Sequence, residues 1–194
     1  IVMQDFVEDF QALSVPTGLS SSNNQYAQQA NAQFETLKGL GSGFASLFII
    51  PANAVSSKST IKTASKTNAL ATKTYIWSSN GTTVTYNITD ASDRYSFTYS
   101  IESTDFTGKF MDGYQLKDGS YAEVSLYVDN QTISTIKWWV TASTTKMELD
   151  SDGYKLTLES NTADNSGTLK VYDDNFLAAL YQWNANGSGT YTDY

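Results

Sequence analysis

Residues 75–101, YIWSSNGTTVTYNITDASDRYSFTYSI, decide the fold. Val84, Tyr86 and Ile88 alternate with Thr85, Asn87 and Thr89, and Tyr95, Phe97, Tyr99 and Ile101 alternate with Ser96, Thr98 and Ser100. A period of two sends the apolar members to one face of a strand and the hydroxyls and amides to the other. Asn80-Gly81 lies just before the first run, and both residues tolerate the positive φ of a two-residue hairpin turn. The stretch therefore predicts antiparallel strands with one dry face and one wet face.

The same alternation continues toward the C-terminus through Ala122, Val124, Leu126 and Val128, then Ile136, Trp138 and Val140, then Tyr154, Leu156 and Leu158. Further turn dipeptides punctuate it: Asp112-Gly113, Asp118-Gly119, Asp152-Gly153 and Asn186-Gly187. This spacing predicts ten or eleven short strands in meander order over residues 74–194. An internal repeat sits within them. Tyr127-Val128-Asp129-Asn130 precedes Trp138, Tyr172-Asp173-Asp174-Asn175 precedes Trp183, and 45 residues separate the copies. It reads as a duplicated hairpin in one long sheet.

Upstream the chemistry changes. In residues 1–50, Tyr26, Ala27, Ala30, Phe34, Leu37 and Leu40 fall at helical spacing behind the candidate caps Ser22, Asn23 and Asn24. Gly39, Gly41 and Gly43 predict a break, followed by a short apolar segment from Phe44 to Ile50. Met3, Phe6, Val7 and Phe10 suggest another short helix before Pro16. Residues 51–73 carry Lys58, Lys62, Lys66 and Lys73 and no acid. They read as a Ser/Thr/Lys-rich connector, a solvated loop or edge segment rather than a helical basic stripe or an anion site. The expected architecture is one domain over residues 1–194, mainly β (α+β). A long antiparallel meander, curved or half-barrel, is expected with the N-terminal helices on one face.

Composition narrows the function. The 194 residues contain no His and no Cys. This excludes an imidazole base, a His-containing catalytic triad, a thiolate nucleophile, a disulfide framework and a zinc ribbon. A net charge of −8 opposes binding to phosphate backbones, so no nucleic-acid partner is expected. Ser and Thr number 24 each, about a quarter of the chain, and only 16% of residues are charged. With 13% aromatics and two Pro, this is the profile of a β-rich protein outside the cytoplasm, periplasmic or tethered to an outer membrane. No apolar run is long enough for a membrane-spanning helix. The chain opens at Ile1 rather than Met, so a processed N-terminus is expected, including one that has lost a lipid-anchored segment.

The closing stretch GTLKVYDDNFLAALYQWNANGSGTYTDY, with SLYVDNQTISTIKWWV, resembles the C-terminal strands of small secreted lipoproteins of Bacteroidetes-type Gram-negative bacteria. That resemblance implies an address in the cell envelope. The layout of helices followed by a long meander is similar to the periplasmic lipoprotein-carrier half-barrels, which implies a curved sheet wrapped around an apolar ligand.

Candidate chemistry is sparse. Asp150 with Asp152, and Asp173 with Asp174, are the nearest carboxylate pairs, but Asp in a turn is explained by hydrogen bonds to its own backbone. Asp150-Ser151-Asp152-Gly153 begins like a calcium loop yet places Gly at position four and Thr162 at position twelve. Gly39-Leu40-Gly41-Ser42-Gly43 lacks the Lys of a phosphate loop. Neither cofactor nor metal is expected, and the protein reads as a non-enzymatic envelope protein. The leading expectation is a carrier-type lipoprotein binding a lipid or other amphiphile between sheet and helices. Phe34, Leu37, Phe44 and Phe48 would then form the lid, with Trp138, Trp139 and Trp183 on the sheet side. One alternative is a carbohydrate-binding or adhesion module using exposed Trp and Tyr for a glycan. The other is a structural envelope protein without a small ligand. Adjacent Trp138 and Trp139 must face opposite sides of a regular strand.

Overall fold

The structure is a computed structural model and describes Val15, residues 17–61 and residues 70–194. The short helix expected over Met3–Phe10 lies outside the described residues. Helix α1 (Thr17–Ser20) leads through a turn into α2 (Gln25–Leu47). Asn24 caps α2, its Oδ1 accepting from the backbone N–H of Tyr26 at 2.9 Å and of Ala27 at 3.4 Å. The helix does not break at its glycines. It runs unbroken through Gly39, Gly41 and Gly43.

Twelve antiparallel strands follow in strict sequence order in one open sheet: β1 (Val55–Ile61), β2 (Leu70–Ser79), β3 (Thr82–Asp90), β4 (Arg94–Glu102), β5 (Thr107–Leu116), β6 (Tyr121–Val128), β7 (Gln131–Val140), β8 (Thr144–Ser151), β9 (Tyr154–Asn161), β10 (Gly167–Asp173), β11 (Phe176–Trp183) and β12 (Gly189–Asp193). The strand beyond the expected number is β1, at the sheet edge within the lysine-rich connector. Its sequence VSSKSTI lacks apolar alternation because little covers it; Val55 is 71% exposed.

Four hairpins turn on two residues that both adopt positive φ: Asn80-Gly81, Asp129-Asn130, Asp152-Gly153 and Asp174-Asn175. The repeat is a structural repeat. Each copy carries a bulge at the same place: Ile133 of β7 is the extra residue opposite Leu126-Tyr127, and Ala178 of β11 the extra residue opposite Val171-Tyr172. Asp112-Gly113, by contrast, makes no turn and lies inside β5. The ring of Phe97 and the backbone carbonyl of Glu123 press on Gly113, and a Cβ there would come within 2.9 Å of the ring. Glycine at this position serves close packing rather than a turn.

The registers carry one face across the sheet. From Lys73 in β2 they run through Ile88, Phe97, Gly113, Val124, Ile136, Leu149, Leu156 and Val171 to Ala179 in β11. The core cluster unites buried residues of this face with Leu19, Ala30, Phe34, Leu37 and Phe48. Contacts step across the strands as the helix advances. Tyr26 stacks on Tyr191 of β12, Phe34 meets Trp183 of β11 edge-to-face, and Phe48, just past α2, meets Phe97 of β4 at 5.3 Å.

Two glycine substitutions separate packing from helix propensity. Gly113→Ala is expected to cost about 1–3 kcal/mol through overpacking. Gly39→Ala, where a Cβ meets nothing within 4 Å, is expected to stabilise by roughly 0.5–1 kcal/mol. Urea midpoints read both, and a neutral Gly113→Ala would contradict the packing account.

Candidate functional site

The residues singled out as a lid are core residues where the structure describes them. Phe34 and Phe48 are 1% exposed and Leu37 is fully buried, each in the cluster with sheet side chains. Phe44 lies within α2, and its side chain is outside the described residues. Trp138 and Trp183 are buried in the same cluster, and the indole N–H of Trp183 donates to the carbonyl of Asn165 at 2.6 Å.

Trp139 points to the other face and is half-buried. There it joins a ladder across five strands: Arg94 over Tyr114, Tyr114 against Tyr121, Tyr121 against Trp139, and Lys146 over Trp139. Tyr121 donates to Glu123 at 2.6 Å, and burial together with that bond pushes its phenol far above the ordinary value. The rings are inclined by 46° and 59°, so this strip offers no single flat platform.

A groove of about 600 Å³ opens instead at the β1–β5 end, on the same sheet face as the core. Register builds it. Lys58 of β1 lies opposite Lys73 of β2, Lys73 opposite Ile88, Asp90 opposite Tyr95, and Tyr95 opposite Gln115. Ala71, Tyr75, Ile88 and Tyr95 provide apolar lining, with Lys58, Lys73 and Lys117 beside them. Lys117 bridges Asp90 at 2.6 Å, and this carboxylate raises its ammonium pKa. Lys73 lies over the Tyr75 ring at 4.7 Å and Lys117 over the Tyr95 ring at 4.9 Å. Lys58 and Lys73 face each other with no carboxylate bridging either among the described residues. Like charges directly opposite in a sheet repel.

Most of this groove escaped the sequence reading, because its lysines come from the stretch read as a solvated loop or edge segment and from the β5–β6 turn. The available signal was the acid-free run of four Lys in a chain of net charge −8. Asp150 and Asp152 stand at the end of β8 and in the β8–β9 turn, and Asp173-Asp174 at the β10–β11 turn. Among the described residues no three carboxylates converge as metal ligands.

No family model matches the chain, and neither does any curated protein or solved structure.

The two neighbouring tryptophans provide a direct test of face assignment. Trp138→Ala is expected to cost about 3–5 kcal/mol as a buried aromatic, and Trp139→Ala about 0.5–1.5 kcal/mol as one lost ring pair. Chemical denaturation of the two variants checks the order. The phenols make a second prediction. Burial pushes Tyr181 up to about 12 and raises Tyr86 further. Their unfolded counterparts lose protons near about pH 10, so this stability is complete below that pH and fades as pH climbs toward the folded values. Absorbance titration at alkaline pH, paired with thermal midpoints, measures both effects. Phenols that all titrate at the ordinary value would contradict it.

Proposed function

We propose that this is a non-enzymatic, extracytoplasmic binding protein that carries or senses an anionic amphiphile. The apolar part of the ligand lies in the groove at the β1–β5 end of the sheet, and its anionic head meets Lys58 and Lys73. In this reading α1 and α2 cover one face of a curved sheet and leave its β1–β5 end open. The lid residues expected from the sequence form the packed spine beside the site. The carrying observation is the pair of unbridged lysines held in register over an aromatic floor.

The physical account is short. Burying about 300 Å² of alkyl surface against Tyr75, Ile88 and Tyr95 is worth roughly 7 kcal/mol before ordering costs. The head group relieves the repulsion between Lys58 and Lys73. Lys117, neutralised by Asp90, contributes its alkyl stem and helps fix the Tyr95 ring. The compositional profile and the resemblance to secreted lipoproteins support an envelope location.

This reading predicts a trade. Lys73→Glu is expected to stabilise the free protein by about 0.2–1 kcal/mol, by replacing a like-charge pair with an opposite one. The same change should weaken binding of dodecanoate about tenfold or more. Calorimetry with dodecanoate, and with dodecyltrimethylammonium as the cationic counterpart, reads the second effect. Equal binding of both amphiphiles, or no response to Lys73→Glu, would sink the proposal.

A further inference from the structure

A second concavity lies at the opposite end of the sheet. The α1–α2 junction meets the β11–β12 hairpin around a cleft of about 520 Å³, within the range of about 300–1,000 Å³ usual for small-ligand sites. Backbone approach shapes one wall. A Cβ on Gly18 would overlap the carbonyl of Gly187, and Gly187 itself sits at a φ of 79°. Only glycine at both places lets helix and turn meet so closely.

The chemistry of the lining is distinct. None of the residues around the cleft is charged, although the chain holds 32 Lys, Arg, Asp and Glu. Tyrosines provide its aromatic part. Tyr26, 39% exposed, stacks nearly parallel on Tyr191, with centroids 4.3 Å apart and planes 11° apart, and Tyr191 in turn packs against Tyr181. The polar part includes Ser22, Gln182, Ser188 and Thr190, and two asparagines, Asn24 and Asn186, whose oxygens are committed and whose N–H groups are free. Asn24 Oδ1 caps α2, and Asn186 Oδ1 accepts from the backbone N–H and the hydroxyl of Ser188 at 3.0 and 2.7 Å. Neither Nδ2 group has a partner among the described residues.

We infer that this cleft binds a neutral saccharide. A ligand here must offer hydroxyl acceptors to carboxamide N–H donors and an apolar C–H face to a tyrosine, and it must carry no charge. Phosphates and carboxylates meet no cationic side chain in the lining, and an alkyl chain would strand the amides. A pyranose satisfies both demands at once. The site is independent of the amphiphile groove, since the two share no residue and are built from opposite ends of the strand order.

The test uses the whole chain with cellobiose, maltose, lactose and diacetylchitobiose at millimolar concentration, read by saturation-transfer NMR. At least one of the four is expected to receive saturation at its ring C–H protons. Tyr26→Ala is expected to weaken that binding about tenfold, whereas Tyr26→Phe retains it. Asn24→Asp and Asn186→Asp keep the cap and turn oxygens but lose N–H donors and add charge, so each should weaken binding several-fold with little change in thermal midpoint. Dodecanoate binding should be unchanged in all four variants. No saturation transfer to any of the four sugars would overturn the proposal, as would full binding by Tyr26→Ala.

Discussion

Strand register is the constraint on which everything else in this molecule rests. A slip of one residue anywhere in an antiparallel meander sends the whole apolar set of a strand to the wet face. Here the register is pinned locally, by two-residue turns at Asn80-Gly81, Asp129-Asn130, Asp152-Gly153 and Asp174-Asn175. It shifts at bulges, at Ile133 and Ala178 once in each copy of the repeated hairpin, and at Phe110 of β5 opposite Tyr99-Ser100. Because adjacent strands keep step, Phe97, Gly113, Val124, Ile136, Leu149 and Leu156 share one face, and one core cluster joins buried residues of that face with Phe34, Leu37 and Phe48.

The consequence for function lies in how the helix contacts are distributed. They begin at β12 with Tyr26 and end at β3 and β4 with Phe48. Phe34, Leu37 and Phe48 are wholly buried and leave the middle of the face with little to offer a ligand. Room remains where the helical segment begins and where it ends. Each end has its own chemistry: lysines over an aromatic floor near β1–β5, and uncharged amides with tyrosines near β11–β12. The two proposed sites, one for an amphiphile and one for a saccharide, rest on that division. The outer ladder from Arg94 to Lys146 stabilises the wet face, its inclined rings filling space between neighbouring strands.

Much of the architecture was legible from residue order, because the period of two and the turn dipeptides are local signals. Asn24 as helix cap and the duplicated hairpin could be read the same way. The glycine signals were ambiguous. Gly113 pairs with Asp112 as a turn would, yet a bulky ring lies over it in mid-strand, a requirement visible only once Phe97 is known to sit beside it. Gly39, Gly41 and Gly43 look like a break, yet α2 continues through them. Strand β1 was hidden because an edge strand needs no apolar alternation.

The sequence by itself determined the class of object: a mainly β meander with its strand faces, several turns and a helical N-terminal segment. It also determined the chemistry that His and Cys would bring and that this chain lacks. Only the tertiary structure decided which aromatics are spine and which line an opening, since Phe34 and Tyr26 carry the same helical signal and differ in what lies across from them. It alone placed Lys58 opposite Lys73 and brought Asn24 to the same cleft as Asn186. Local patterns record how each residue faces its own element. A site is made where elements distant in sequence end beside one another, and that depends on register summed over the whole sheet.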